Sequence, residues 1–237
     1  VPAGAGFSGG RRPVLYSAEV PGCGCFADEV TAVSRSVADW FPAFQYRDYR
    51  VLWAASGVAS VSLWMLLMAR AWLALEISGQ GLAVGGVTFA AMAPWALAPI
   101  GEILADRFDR AHVVIIARLV LVALALGLAT LAFAAVITVW QLVLFAAATG
   151  VVRAVEMPAD SALMPNTVDK ASLLNAITLA SLVRFGSRAA GPLAGAPLLA
   201  GVGAGWLFVL GAIFYGISAV LMLGIRVHSR GGIEAGS

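Results

Sequence analysis

The side chains that can do chemistry in this chain are arginines and carboxylates, set at short intervals within and between long apolar stretches. Arg184 and Arg188 lie four residues apart, so any helix containing them presents both on one face. Arg153 and Glu156 are three apart and can pair locally, and Glu156 can act as counter-charge or proton carrier. Arg70 stands six residues before Glu76 near the end of an earlier apolar stretch. Together these suggest a polar cavity in which Arg184, Arg188 and Arg70 meet a substrate. The opposing reading lets Arg70 snorkel outward, leaves Glu76 at an interface and makes Arg153 and Glu156 a structural gate pair. A denser cluster is Gly101-Glu102-Ile103-Leu104-Ala105-Asp106-Arg107-Phe108-Asp109-Arg110, where five of ten residues are charged. Its Asp and Arg side chains can clamp across helix ends, and Gly101 lets a neighbouring helix approach closely.

No other set of residues assembles a reaction centre. Cys23 and Cys25 are one residue too close for a Cys-x-x-Cys site, and no second cluster accompanies them. His112 and His228 fall at the ends of apolar stretches and read as interfacial. There is no Ser-His-Asp set, HExxH or Walker loop, and Gly4, Gly6, Gly9 and Gly10 lack a flanking strand. A membrane enzyme would need a nucleophile, base or metal ligands inside its spans, where only Arg and one or two Glu occur. The expectation is therefore no enzyme, no metal and no cofactor.

Composition sets the class. The chain is 61% hydrophobic and 12% charged, with a mean hydropathy of +0.91. Soluble domains carry about 25% charged residues, and 237 residues this apolar exceed what one soluble core can hide. The net charge of +2 argues against nucleic acid. Fourteen of the fifteen basic residues are Arg, which reads as genome bias.

Since a bilayer core needs roughly 20 apolar residues per helix, the sequence predicts six spans. They run from about Val51 to Ile77, Leu82 to Leu104, Val113 to Val136, Val139 to Met157, Leu173 to Leu199 and Trp206 to Ile225. Arg184, Arg188, Pro192 and Pro197 blur the ends of the fifth. Arg47, Arg50, Arg107, Arg110, Arg118, Arg153, Lys170, Arg226 and Arg230 collect on one side, whereas the turns near Gly79, Ile137 and Gly203 hold no Lys or Arg. By the positive-inside rule both termini and the charged turn face the cytoplasm. Trp53, Trp72, Trp140 and Trp206 sit near run ends as interfacial anchors. Three regions follow: a polar segment at 1–43, a six-helix transmembrane bundle at 44–228 and a flexible tail at 229–237. Trp40 to Tyr49 suits a short interfacial helix. Val1 in place of Met implies that the chain begins inside a longer product or was trimmed.

The spacing Gly-x-x-x-Ala-Asp-Arg-x-Asp-Arg resembles the loop between the second and third helices of major facilitator superfamily transporters. The branch it looks most like is the bacterial efflux group of siderophore and macrolide exporters. The resemblance implies that Asp106 and Arg107 form a central gating pair, with Arg110 as outer clamp and Gly101 as packing point. Ala111-His112 replaces the further basic residues usual there, which weakens lipid headgroup contact. Gly191, Pro192 and Gly195 resemble the fifth-helix motif of the family's exporters, where glycine lets helices cross and proline lets the segment bend. Met157-Pro158-Ala159, Leu163-Met164-Pro165 and Leu174-Asn175-Ala176 resemble the loop between helices four and five. Pro94 and Pro99 in the second run match Pro192 and Pro197 in the fifth, as two inverted three-helix repeats would require.

The implied protein is an all-α membrane protein, six transmembrane helices forming half of a twelve-helix transporter in a bacterial inner membrane. Its expected work is proton-coupled export of small molecules by alternating access. It would meet a small-molecule substrate and the lipid bilayer, need a C-terminal half or a second six-helix chain, and be inactive alone. An oligomeric six-helix channel or accessory membrane protein is the alternative.

Overall fold

The computed structural model describes residues 42–97 and 109–225. Gly101, Asp106 and Arg107 of the charged turn lie outside the described residues, as do Pro99, the 1–41 segment with Cys23 and Cys25, and His228. Among the described residues the chain forms six α-helices and no strand: α1 Arg47–Ser78, α2 Gly81–Met92, α3 Arg110–Phe133, α4 Val139–Leu163, α5 Leu173–Val202 and α6 Ala204–Leu223. Short 3-10 turns precede α1 (Pro42–Gln45), follow α2 (Ala93–Leu97) and α4 (Met164–Asn166), and lead into α5 (Lys170–Ser172).

The helices start and stop where their ends can be satisfied. The Asp109 carboxylate accepts a hydrogen bond from the Ala111 amide (3.0 Å), capping α3. Thr138 and Gln141 form a reciprocal capping box at the start of α4. Gly79 takes the left-handed conformation (φ 65°) and its N–H returns to the Leu75 carbonyl, ending α1.

Several boundaries differ from the sequence reading. Trp40 to Tyr49 is not a separate helix where it is described: Pro42–Gln45 is a 3-10 turn, and Arg47 onward is already the first turn of α1. Helix α4 continues past Met157 to Leu163, with Pro158 inside it. Helix α5 passes through both Pro192 and Pro197. At the matching place in the first repeat, Pro94 falls in the 3-10 turn that ends α2.

Among the described residues four helices are long and apolar enough to cross a membrane: α1, α3, α4 with its 3-10 extension, and α6. Helix α5 is long enough, but two arginines and its Gly, Ser and Pro residues dilute its apolar character. The described part of α2 is a shorter apolar helix. Large apolar side chains cover the outside, with Leu82 at 84% and Leu193 at 74% of full exposure. Such a surface is stable facing lipid, where helices satisfy their backbone internally.

The packing pattern is two-fold. Helix α6 packs on α3 and α1, α5 packs on α1, and α4 packs on α3 and α2. Exchange α1 with α4, α2 with α5 and α3 with α6, and these five pairings return, although the lesser contacts of α1 with α2 and α5 with α6 have no equal counterpart among the described residues. Leu52 and Val114, early in α1 and α3, cluster with Leu163 and Met222, late in α4 and α6. Alternate helices therefore run in opposite directions, and the two three-helix units are inverted. Glycines sit at both equivalent crossings. Gly191 of α5 faces α1, where a Cβ would lie 2.7 Å from the Trp64 Cβ, and Gly150 of α4 meets the Ala91 carbonyl of α2.

Close approach at Gly191 predicts a cost of about 1–3 kcal/mol for Gly191→Leu, typical of overpacking. Gly201→Leu, on the same helix with open space around it, should leave stability nearly unchanged. Denaturant midpoints of the two variants in detergent check this contrast.

Candidate functional site

Arg118 lies eight residues beyond the start of α3, about 12 Å into the bundle at 1.5 Å per residue. It is buried to 1% exposure and reaches three other helices. Its Nε donates to Glu156 Oε1 (3.0 Å) and its Nη2 to Asp160 Oδ1 (2.9 Å), both on α4. Nη2 also reaches the Ser56 hydroxyl on α1 (3.3 Å), and Nη1 the Ser218 carbonyl on α6 (3.5 Å). Ser56 in turn donates to Asp160 at 2.8 Å.

Glu156 is the pivot. One carboxylate oxygen takes Arg118 and the other takes Arg153 Nη1 at 2.6 Å, so a buried carboxylate bridges two guanidiniums. Arg118, Arg153, Glu156 and Asp160 form a balanced set of two cations and two anions. Balance is what lets the cluster sit inside an apolar bundle: each ion's desolvation is offset by opposite charge, and for Arg118 also by hydrogen bonds to Ser56 and the Ser218 carbonyl. The expected local pair of Arg153 and Glu156 is present, but as one arm of this network. Arg118 was expected among the charges of a turn; it is instead the network's centre, because α3 begins at Arg110 and carries it inside.

The network floors a cavity of about 110 Å³ walled by α1, α4 and α5, with Trp95 reaching in from the turn after α2. Arg184 and Arg188 of α5 line the opposite wall and are exposed to it, as their shared helical face requires. The Arg188 guanidinium lies over the rings of Trp64 (5.3 Å) and Phe185 (5.0 Å), a cation–π seat that fixes it without neutralising it. Trp53 also lines this cavity, its indole N–H donating to the Leu179 carbonyl (3.2 Å). It is thus a wall of the site and not the interfacial anchor expected from its position. Trp72, Trp140 and Trp206 are exposed near helix ends, as anchors are.

Arg70 does not snorkel. It is buried to 2% exposure, with Nε on the Leu66 carbonyl (3.2 Å) and Nη1 on the Thr149 hydroxyl of α4 (3.1 Å). The inward face of α1 carries it between Leu66 and Leu73, so the side chain has no outward path. It borders a second, smaller cavity that shares Leu63, Trp64, Trp95 and Arg153 with the first. Glu76 is exposed at the end of α1.

Of the charged turn, Arg110 is described: its Nη1 donates to the Ala162 carbonyl near the end of α4 (3.3 Å), a clamp between α3 and α4 within the bundle. Gly191 and Gly195 are buried against Trp64 and Met65 of α1, and Pro192 sits between them. Tyr46 and Tyr49 tie the start of α1 to the start of α5 through Asp169 (2.6 Å) and the Ala176 carbonyl (2.9 Å).

The family described as transmembrane secretion effector, of the major facilitator type, matches residues 38–230. The chain belongs to that family. It is a multi-pass membrane protein of a transporter family, not of an enzyme family. No curated protein and no solved structure matches the chain.

Sequence reasoning missed Arg118, Asp160 and Ser56. The signal for Asp160 was available: Arg153, Glu156 and Asp160 fall at i, i+3 and i+7, one face of a helix if α4 is allowed to run past Met157. Removing Arg118 should leave its carboxylates uncompensated, so Arg118→Leu is expected to destabilise the bundle by about 3–5 kcal/mol. Adding Asp160→Asn restores charge balance and should recover part of that loss, measured by denaturant titration in detergent.

Proposed function

We propose that this chain forms one six-helix bundle of an exporter for small amphipathic molecules, working by alternating access. The observation that carries the proposal is the cavity between α1, α4 and α5, which has a charge-balanced network on one side and two cations on the other. Glu156 and Asp160 border both the cavity and Arg118, so protonating either would loosen the arginine that joins four helices. That is the coupling a proton-driven transporter needs: a proton changes which helices are held together. A second six-helix bundle closes the open side of the cavity, and the two rock about it. Asp106 and Arg107 gate that motion by pairing across the bundles, with Arg110 anchoring the turn to α4. The glycine crossing at Gly191 and Gly195 gives α5 a close bearing on α1. The setting is a bacterial inner membrane, with both termini cytoplasmic, as the distribution of Lys and Arg supports.

The test is transport by the full-length product of the reading frame in inverted membrane vesicles. A dye-like amphipathic substrate should accumulate when a proton gradient is imposed and stop when an uncoupler collapses it. Asp106→Lys should cut the initial rate at least about tenfold, the effect of losing roughly 1.4 kcal/mol of gate stabilisation. Accumulation insensitive to the uncoupler would remove proton coupling from this reading. Ion conductance by a homo-oligomer, with no substrate uptake, would replace it with the channel.

A further inference from the structure

The cavity has an electrostatic sign that its balanced network does not account for. Six charged residues line it: Arg118, Arg153, Arg184, Arg188, Glu156 and Asp160. Both carboxylates are engaged by Arg118 and Arg153. Arg184 and Arg188 remain, and among the described residues neither forms an ion pair or a hydrogen bond. Arg188 is held by aromatic faces, which leaves the in-plane N–H edges of its guanidinium available. Two unneutralised cations about one helical turn apart in a partly closed, apolar-walled space favour an anion and repel a cation.

The rest of the wall says what carries that anion. Trp53, Trp64 and Trp95 line the same cavity, and each offers a flat apolar face. The adjoining smaller cavity continues the theme, since it is bordered by Arg70, a buried cation with no ion pair among the described residues. From this arrangement we infer that the site binds an aromatic organic anion, its carboxylate or sulfonate between Arg184 and Arg188 and its ring against the tryptophans. The inference rests on the reading of this cavity as the substrate site. Arg70 marks the next station for the same anionic group, since the two cavities share the wall formed by Leu63, Trp64, Trp95 and Arg153.

The test uses the full-length product in nanodiscs of zwitterionic lipid, with empty nanodiscs subtracting partition into lipid. Three probes of one shape are compared by equilibrium dialysis: 2-naphthoate, 2-naphthylmethanol and 2-naphthylmethylammonium. The naphthoate should bind about tenfold or more tighter than either of the others, the scale of one charge-assisted contact. Arg184→Gln with Arg188→Gln should abolish that preference, whereas Arg184→Lys with Arg188→Lys should keep most of it. Equal binding of the three probes, or tighter binding of the ammonium, overturns the inference, whatever the variants do. That result would arise if carboxylates of a second bundle already neutralise the two arginines. The wild-type ranking decides the sign alone, so a variant that fails to fold does not rescue it. Vesicle uptake separates the two readings. Transport without the anion preference leaves the exporter with a substrate of other charge. The preference without transport leaves an anion site in a protein that is no exporter.

Discussion

Everything in this bundle leans on Glu156, a buried carboxylate held between two guanidiniums, Arg118 on α3 and Arg153 on its own helix α4. Without it Arg118 and Arg153 would face each other across an apolar interior. With it, and with Asp160 completing the balance, α4 is bound to α3, and through Ser56 and the Ser218 carbonyl to α1 and α6. The apolar contacts around it are interchangeable in kind; Leu and Ala residues pack wherever helices meet. The ionic cluster is not interchangeable, since an ion in low dielectric tolerates few arrangements of partners. It therefore acts as the register mark of the fold, setting how deep each helix sits relative to the next.

The two-fold packing pattern explains why the cavity falls where it does. Helices α1 and α4 are equivalent under the exchange, and each is gripped by two helices of the other repeat, α1 by α5 and α6 and α4 by α2 and α3. They line the cavity because they stand beside the axis that relates the repeats. Equivalence is broken by chemistry. Helix α4 carries Arg153, Glu156 and Asp160, whereas α1 offers serines and tryptophans to the same space. The small residue has also changed places between the equivalent crossings, being Gly150 of α4 where α4 meets α2 and Gly191 of α5 where α5 meets α1. A shared architecture thus supports a floor of charge under one repeat and an aromatic wall on the other.

Much of this was readable from the sequence, and the limits have physical causes. All six helices follow from runs of apolar residues near bilayer length, and their alternation follows from the short links at Gly79 and Gly203. The family followed from an ordered motif whose central residues, Asp106 and Arg107, lie outside the described structure. Helix ends were less legible: the fourth run stops at Met157, just before Pro158, and Pro192 and Pro197 blur the end of the fifth, whereas the helices pass through all three. That error hid Asp160. Arg118 was hidden differently: a single arginine near a predicted helix start looks like a flanking charge until the cap at Asp109 fixes where α3 begins. Arg70 shows the same limit at the other end of α1, where length suggested an escape to the surface and facing decided otherwise.

The order of synthesis gives the Arg118 cluster a history. Glu156 and Asp160 follow Arg118 by 38 and 42 residues. At roughly 5–20 residues per second, Arg118 has been made for seconds before either carboxylate exists. An unpaired arginine costs a span about 2.5–3.5 kcal/mol on insertion. Helix α3 can carry that burden because it is the most apolar of the four spanning helices. Its richness in Leu, Val and Ala thus serves the nascent chain, keeping α3 in the bilayer until α4 arrives with the charges that complete it.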